Sequence, residues 1–141
     1  MEISHSFLIK RIVNYVLEPE FKSFYSENEK IVYHEGKKVP GLDLPGSISD
    51  YEGLAIDNSI YIVGEAKTTA YNLTDKGSRI QLRNYLAMSK KKENFHLIYA
   101  VPLSLFNQTK SAIFREIKKD AELNLTLHII TDTNFNEAQK I

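Results

Sequence analysis

An α/β fold built on a mixed sheet, of the α+β kind, is predicted by three features of this 141-residue chain. An amphipathic helix pattern opens it, two strand-like runs joined by a two-residue turn follow, and the second half alternates helix, buried strand, helix, strand. The order is α-β-β-β-α-β with an added helix and strand. One domain over residues 1–141 is expected, because a chain of this length with 43% hydrophobic residues can enclose a core of its own.

In the first helix, apolar residues at Ile3, Phe7, Leu8, Ile12, Val13, Val16 and Leu17 follow the 3.6-residue period, and Pro19 lies just beyond them. Residues 30–34 read as a short strand before Gly36, and residues 40–45 as a Gly/Pro-punctuated loop placed to shape the mouth of a site. Residues 49–56 and 59–67 are the paired strands. Asp57-Asn58 between them is a hairpin turn, since both residue types tolerate the positive φ that two-residue loops require. Residues 68–72 are polar and read as irregular. Thr74 or Asp75 can cap a helix running to about Lys90. Residues 95–101 read as a buried strand stopped by Pro102, residues 103–120 as a third helix and residues 125–130 as a last strand, with a peripheral tail from Thr131 onward. There is no internal repeat and no low-complexity segment.

Charge is balanced, with 18 basic and 18 acidic residues, so any nucleic-acid partner has to be recognised by a local patch rather than by an overall basic bias. The absence of cysteine excludes disulfides and thiolate metal sites. The first eleven residues lack the basic start, apolar stretch and small-residue cleavage site of a signal peptide, and no apolar run approaches the roughly 20 residues of a membrane helix. A soluble, cytoplasmic protein with no membrane partner is expected.

The paired strands carry the chemistry. With Asp57 and Asn58 as the loop, Ile56 faces Ser59, and counting back along the ladder sets Asp50 opposite Glu65. Side chains alternate with period two, so Glu65, Lys67 and Asp50 share one face. A turn at Asn58-Ser59 would instead bring Glu52 opposite Glu65. Carboxylates about 5 Å apart across a strand pair repel, and one is driven toward protonation unless a cation lies between them. A hard divalent ion such as Mg2+ suits such a pair, because it takes one or two carboxylates and keeps its other positions for water and phosphate oxygens. The plain alternative is a solvated strand face with ordinary salt bridges. Against it, Glu65 and Lys67 end the apolar run 60–63, where charges are costly unless paired or metal-bound.

Asp50 on the second strand, Glu65-x-Lys67 on the third, and Gln81-Leu82-Arg83-Asn84-Tyr85 on the next helix together resemble the PD-(D/E)-x-K nuclease superfamily, in its RecB-like, restriction-endonuclease-like branch. Gln81 and Tyr85 lie four apart on one helical face and look like that branch's Gln-x-x-x-Tyr element. The resemblance covers residues 33–101 and implies a restriction-endonuclease-like core and a metal-dependent deoxyribonuclease. It implies Mg2+ or Mn2+ held by Asp50, Glu65 and the main-chain carbonyl of Ala66. Lys67 would orient the attacking water or stabilise charge on phosphorus. Gln81 would bond the water or a phosphate oxygen, and Tyr85 would position the phosphate or brace Lys67. DNA is the implied partner, and many relatives act as homodimers.

Lys76, Arg79 and Arg83 recur at helical spacing and are the expected phosphate-backbone contacts; Lys90, Lys91 and Lys92 read as a solvated helix end. The chain departs from the family at Ser49, where proline is usual, and in its first helix, where a metal-reaching glutamate is common and only Glu2 and Glu18 are present, at the two ends. His5 reads as a surface or packing residue, and His34, His96 and His128 have no metal-ligand spacing. Two other classes stay open. One is a non-catalytic nucleic-acid-binding or assembly module on a nuclease fold, and the other is a small partner or immunity-type protein.

Overall fold

The computed structural model describes residues 3–24, 31–34, 50–55 and 60–141. In chain order the elements are α1 (His5–Val16), α2 (Pro19–Lys22), β1 (Ile31–His34), β2 (Tyr51–Ala55), β3 (Tyr61–Ala66), α3 (Tyr71–Thr74), α4 (Lys76–Ser89), β4 (Phe95–Val101), a 3₁₀ turn (Leu103–Leu105), α5 (Phe106–Ile117), β5 (Thr126–Thr131) and β6 (Asn136–Lys140). The six strands lie side by side in that order. β1, β2 and β3 pair antiparallel, β3, β4 and β5 pair parallel, and β6 adds antiparallel to β5. This is a mixed α/β architecture of the expected α+β kind.

Parallel neighbours require crossover connections, which α3 with α4 supplies between β3 and β4 and α5 supplies between β4 and β5. Strands β3, β4 and β5 are buried along their whole length, as near-continuous apolar runs demand. Alternation sorts their side chains. Tyr61, Val63, Leu97, Tyr99 and Leu127 pack with Leu82, Tyr85 and Leu86 of α4 and Ile113 of α5. Ile62, Ala66, Ile98, Ala100 and Ile130 pack beneath Leu8, Ile12 and Val16 of α1. Gly64 lies on the α1 face, and a Cβ there would sit 3.0 Å from both Ile12 Cγ2 and Tyr51 Cβ. Its missing side chain is what allows α1 to lie directly on β3.

The β2–β3 ladder pairs Tyr51 with Gly64, Glu52 with Val63, Gly53 with Ile62 and Leu54 with Tyr61. This is the register expected from a loop at Asp57-Asn58, and it excludes the pairing of Glu52 with Glu65. The turn residues themselves, the 40–45 loop and Lys30 lie outside the described residues.

Four expectations about elements are corrected. Pro19 follows α1 as expected but also starts the one-turn helix α2, where its missing N–H and fixed φ suit the first helical position. Residues 68–72 are not wholly irregular, because Tyr71–Thr74 forms a helical turn anchored by buried Leu73. The third helix starts as a 3₁₀ turn at Leu103–Leu105, with Asp132 Oδ1 accepting from Leu103 N at 2.8 Å, and the α-helix proper ends at Ile117. The tail is not peripheral, since Asn136–Lys140 pairs along β5 as an edge strand. A half-exposed polar edge needs no apolar alternation, so its sequence carries no strand pattern.

At the far end of the α1 face, His96 on β4 and His128 on β5 are fully buried and joined in one hydrogen-bonded chain. Tyr15 Oη lies 2.8 Å from His128 Nδ1, His128 Nε2 lies 2.9 Å from His96 Nδ1, and His96 Nε2 lies 2.8 Å from Asn94 Oδ1. Asn94 can only accept through that oxygen, so His96 donates to it from Nε2; with both buried imidazoles neutral, His128 then donates to His96 and Tyr15 donates to His128. Every ring nitrogen of the two imidazoles then has a partner. Burial pulls His96 down to about 4, with Lys140 adding to the effect, and pulls His128 down to about 3, with His96 adding to it. Burial, with smaller contributions from Glu20 and Glu18, pushes Tyr15 up to about 12.

Gly64→Ala is expected to destabilise the protein by about 1–3 kcal/mol, since α1 and Tyr51 must give way to the added methyl; an unchanged urea midpoint would contradict the close contact. The histidine chain sets a pH dependence. Unfolded histidines protonate near 6.5 while the folded ones stay neutral to about 4 and 3. Between those limits the unfolded state binds more protons, so stability falls as pH drops. Urea denaturation at intervals from pH 7 to pH 4 should show this loss, with a shallower slope in His128→Gln; identical slopes would show that these imidazoles do not set it.

Candidate active site

Asp50 immediately precedes β2, and one further step along the ladder sets it opposite Glu65. Its Oδ2 accepts the main-chain N–H of Ala66 at 2.8 Å and faces His5 Nε2, in the first turn of α1, at 3.1 Å. Ser4 starts that turn as N-cap, its Oγ accepting from Phe7 N at 3.1 Å, so the cap places His5 at the helix end nearest the carboxylates.

Glu65 is only 2% exposed. Tyr85, itself fully buried on α4, donates to Glu65 Oε1, and Lys67 Nζ stands 3.9 Å from Glu65 Oε2. Burial raises the Glu65 pKa well above the usual carboxylate range, and the charge of nearby Asp50 raises it further; Tyr85 and Lys67 offset only part of this. Burial first, then the Glu65 charge, also raises Tyr85 and Tyr99, so both phenols stay protonated.

Lys67 extends the β3–β4 ladder by one bond, its N–H donating to Ala100 O at 3.0 Å, and its side chain reaches the start of α4. Nζ donates to Ser78 Oγ at 3.3 Å and to Gln81 Oε1 at 3.2 Å. Ser78 Oγ–H in turn donates to Asp75 Oδ2 at 3.2 Å, while Asp75 Oδ1 accepts from Ser78 N at 2.7 Å and caps α4. The residue that starts the helix therefore also fixes the hydroxyl that holds the ammonium.

Asp50, Glu65, Lys67, Gln81, Tyr85 and the Ala66 main chain are thus brought together, although two assigned roles change. Tyr85 is sealed from solvent and braces Glu65 rather than Lys67 or a phosphate. Gln81 Oε1 is engaged by Lys67 rather than held out toward a water. Lys76, Arg79 and Arg83 are not brought to this cluster. Arg79 and Arg83 are each two residues from Gln81, which is about 200° around a helix, so they occupy the opposite flank of α4. There Arg83 Nε pairs with Glu116 Oε2 of α5 at 3.1 Å. Lys90 pairs with Asp120, and Lys92 Nζ lies 5.3 Å from the Tyr61 ring centroid, so these two terminal lysines have structural partners. His5 is the residue beside these carboxylates that sequence reasoning set aside, because its contact with Asp50 depends on how α1 packs across the sheet.

Two carboxylates converging where one is driven toward protonation are the oxygen donor set that a hard divalent cation takes. Among the described residues, no three histidine, aspartate or glutamate side chains are gathered so as to hold a metal by themselves. An ion here would rely on Asp50, Glu65, a main-chain carbonyl and water.

No family model and no curated protein matches the chain. Among solved structures, Pyrococcus furiosus SfsA in complex with Ca2+ is similar at 10% identity and a TM-score of 0.46, over 92% of this chain and 58% of that one. The chain thus spans under two-thirds of the length of SfsA. A likeness that distant transfers no activity. No helix of the described residues is long and apolar enough to cross a membrane.

Glu65→Gln tests the electrostatics directly. In metal-free protein a carboxyl whose folded pKa is raised lends stability below its ordinary pKa and loses it as pH rises through the folded value. The variant should therefore be more stable than the parent at pH 8 and gain less at pH 5, as read by thermal melts in chelator. A gain of the same size at both pH values would contradict the raised pKa.

Proposed function

We propose that this chain is a metal-dependent deoxyribonuclease that hydrolyses DNA phosphodiester bonds. The observation that carries the reading is a buried Glu65 set beside Asp50, with the Lys67 ammonium 3.9 Å from Glu65 Oε2. Asp50 and Glu65, with the Ala66 carbonyl, would hold Mg2+ or Mn2+. Bound there, the ion would polarise the phosphate and lower the pKa of the attacking water.

The chain's own groups supply the rest. Tyr85 fixes the Glu65 carboxylate through Oε1, leaving Oε2 as the oxygen nearer Lys67. Ala66 N–H aligns Asp50 through Oδ2. Lys67, suspended from Ser78 and Gln81, presents a compact positive charge where the phosphorane oxygens develop negative charge. Lys76 and Arg79 are exposed on the far flank of α4, so phosphate contacts through them require DNA that passes over that helix.

The test is cleavage of labelled single-stranded, duplex and branched DNA with Mg2+, Mn2+ or chelator, with Lys67→Ala alongside. Metal-dependent cutting is expected, with the variant slowed at least about 10²-fold while calorimetric metal binding stays within a few-fold of the parent. Absence of cutting on every DNA, together with absence of metal binding, would defeat the proposal.

A further inference from the structure

The His5 imidazole comes from α1, yet it meets the carboxylates where β2 starts and β3 ends rather than the core. Its Nε2 lies 3.1 Å from Asp50 Oδ2, the same oxygen that accepts Ala66 N–H at 2.8 Å. A carboxylate oxygen has two lone pairs in its plane, and two donors fill them. Oδ1 is then the Asp50 oxygen left for other partners. The side chain of His5 is 51% exposed, so the contact is not forced by burial.

We propose that His5 is a positioning residue for the metal site. Its Nε2–H and the Ala66 N–H jointly clamp Asp50 Oδ2, which turns Oδ1 toward Glu65 as the oxygen offered to a divalent cation. This rests on the nuclease reading and adds to it a residue that does not itself bind the ion. Such outer contacts orient a ligating carboxylate, and their removal typically costs 10- to 100-fold in metal affinity. The clamp needs only an N–H donor at the Nε2 position, which a glutamine amide can supply and an alanine cannot.

The experiment is calorimetric titration of Mn2+ into the intact chain, His5→Ala, His5→Gln and Glu65→Gln, with thermal melts of each and pulsed electron paramagnetic resonance of the bound Mn2+. His5→Ala should bind about 10- to 100-fold more weakly with a nearly unchanged melting temperature, and His5→Gln should recover most of the loss. The parent's bound Mn2+ should show no directly coordinated nitrogen. Parent-like affinity in His5→Ala, with binding lost in Glu65→Gln, would overturn the role of His5 while leaving the metal site standing. A directly coordinated nitrogen that vanishes in His5→Ala would make His5 a ligand and overturn the clamp. Failure of the parent to bind Mn2+ would overturn both the clamp and the reading beneath it.

Discussion

Glu65 carries a carboxyl group that is nearly closed to solvent, and much of the surrounding structure answers to that. A buried carboxylate costs several kcal/mol unless its oxygens find donors or a cation. Here Tyr85 reaches one oxygen from α4 and Lys67 approaches the other from the end of the same strand. Asp50 works in the opposite direction, because its charge makes ionisation of Glu65 harder. A core element that only stabilised the fold would gain from an apolar residue at this position. An acid there, beside a second acid at the start of β2, fits the proposal that the pair shares a cation.

The location of that pair is set by α1 as much as by the sheet. The helix rests on β3 where Gly64 leaves room for Ile12, one residue before Glu65. Its two ends are tied differently. Tyr15, near the C-terminus, enters the buried histidine chain across β4 and β5, while His5, in the first turn, reaches half-buried Asp50 at the start of β2. Arg11 adds a lateral tie, donating to Thr131 O at 3.1 Å from the middle of the helix. A helix fixed along its length by apolar contact and at one end by a directional buried network has little freedom to shift. The position of His5 is therefore inherited from the core rather than made by its own contact.

What could be read from residues alone followed local rules. The strand pair, its register and the shared face of Asp50, Glu65 and Lys67 come from turn chemistry and period-two alternation, and the ladder adopts that register. Asp75 as the cap of α4 and Pro102 as the end of β4 are equally local. The parts that were not legible depend on packing between distant segments. Nothing near His5 in sequence says that α1 will cross the sheet with its first turn over Asp50. His96 and His128 are 32 residues apart and meet only because β4 and β5 pair in parallel with one particular register. Edge strand β6 has no apolar stripe to show, and the flank occupied by Arg79 and Arg83 follows from helical angle, which outweighs their closeness to Gln81 in sequence.

The suspension of Lys67 has a further consequence. An ammonium that served only to neutralise Glu65 would sit in direct contact with it, yet the separation is 3.9 Å and the shorter bonds run to Ser78 and Gln81. Both of those partners are neutral. Hydrogen bonds from neutral acceptors fix direction without cancelling charge, whereas a close carboxylate does both. Asp75 stands one step back, bonded to the Ser78 hydroxyl and to the backbone of the helix it caps, so its negative charge orients the serine more than it compensates the lysine. The positive charge of Lys67 is thereby held in direction by neutral partners, with Glu65 at the longer distance, at a place that is only partly closed to solvent. For a group whose proposed task is to meet negative charge arriving on a phosphate, that separation of orienting contacts from neutralising ones is the property that counts.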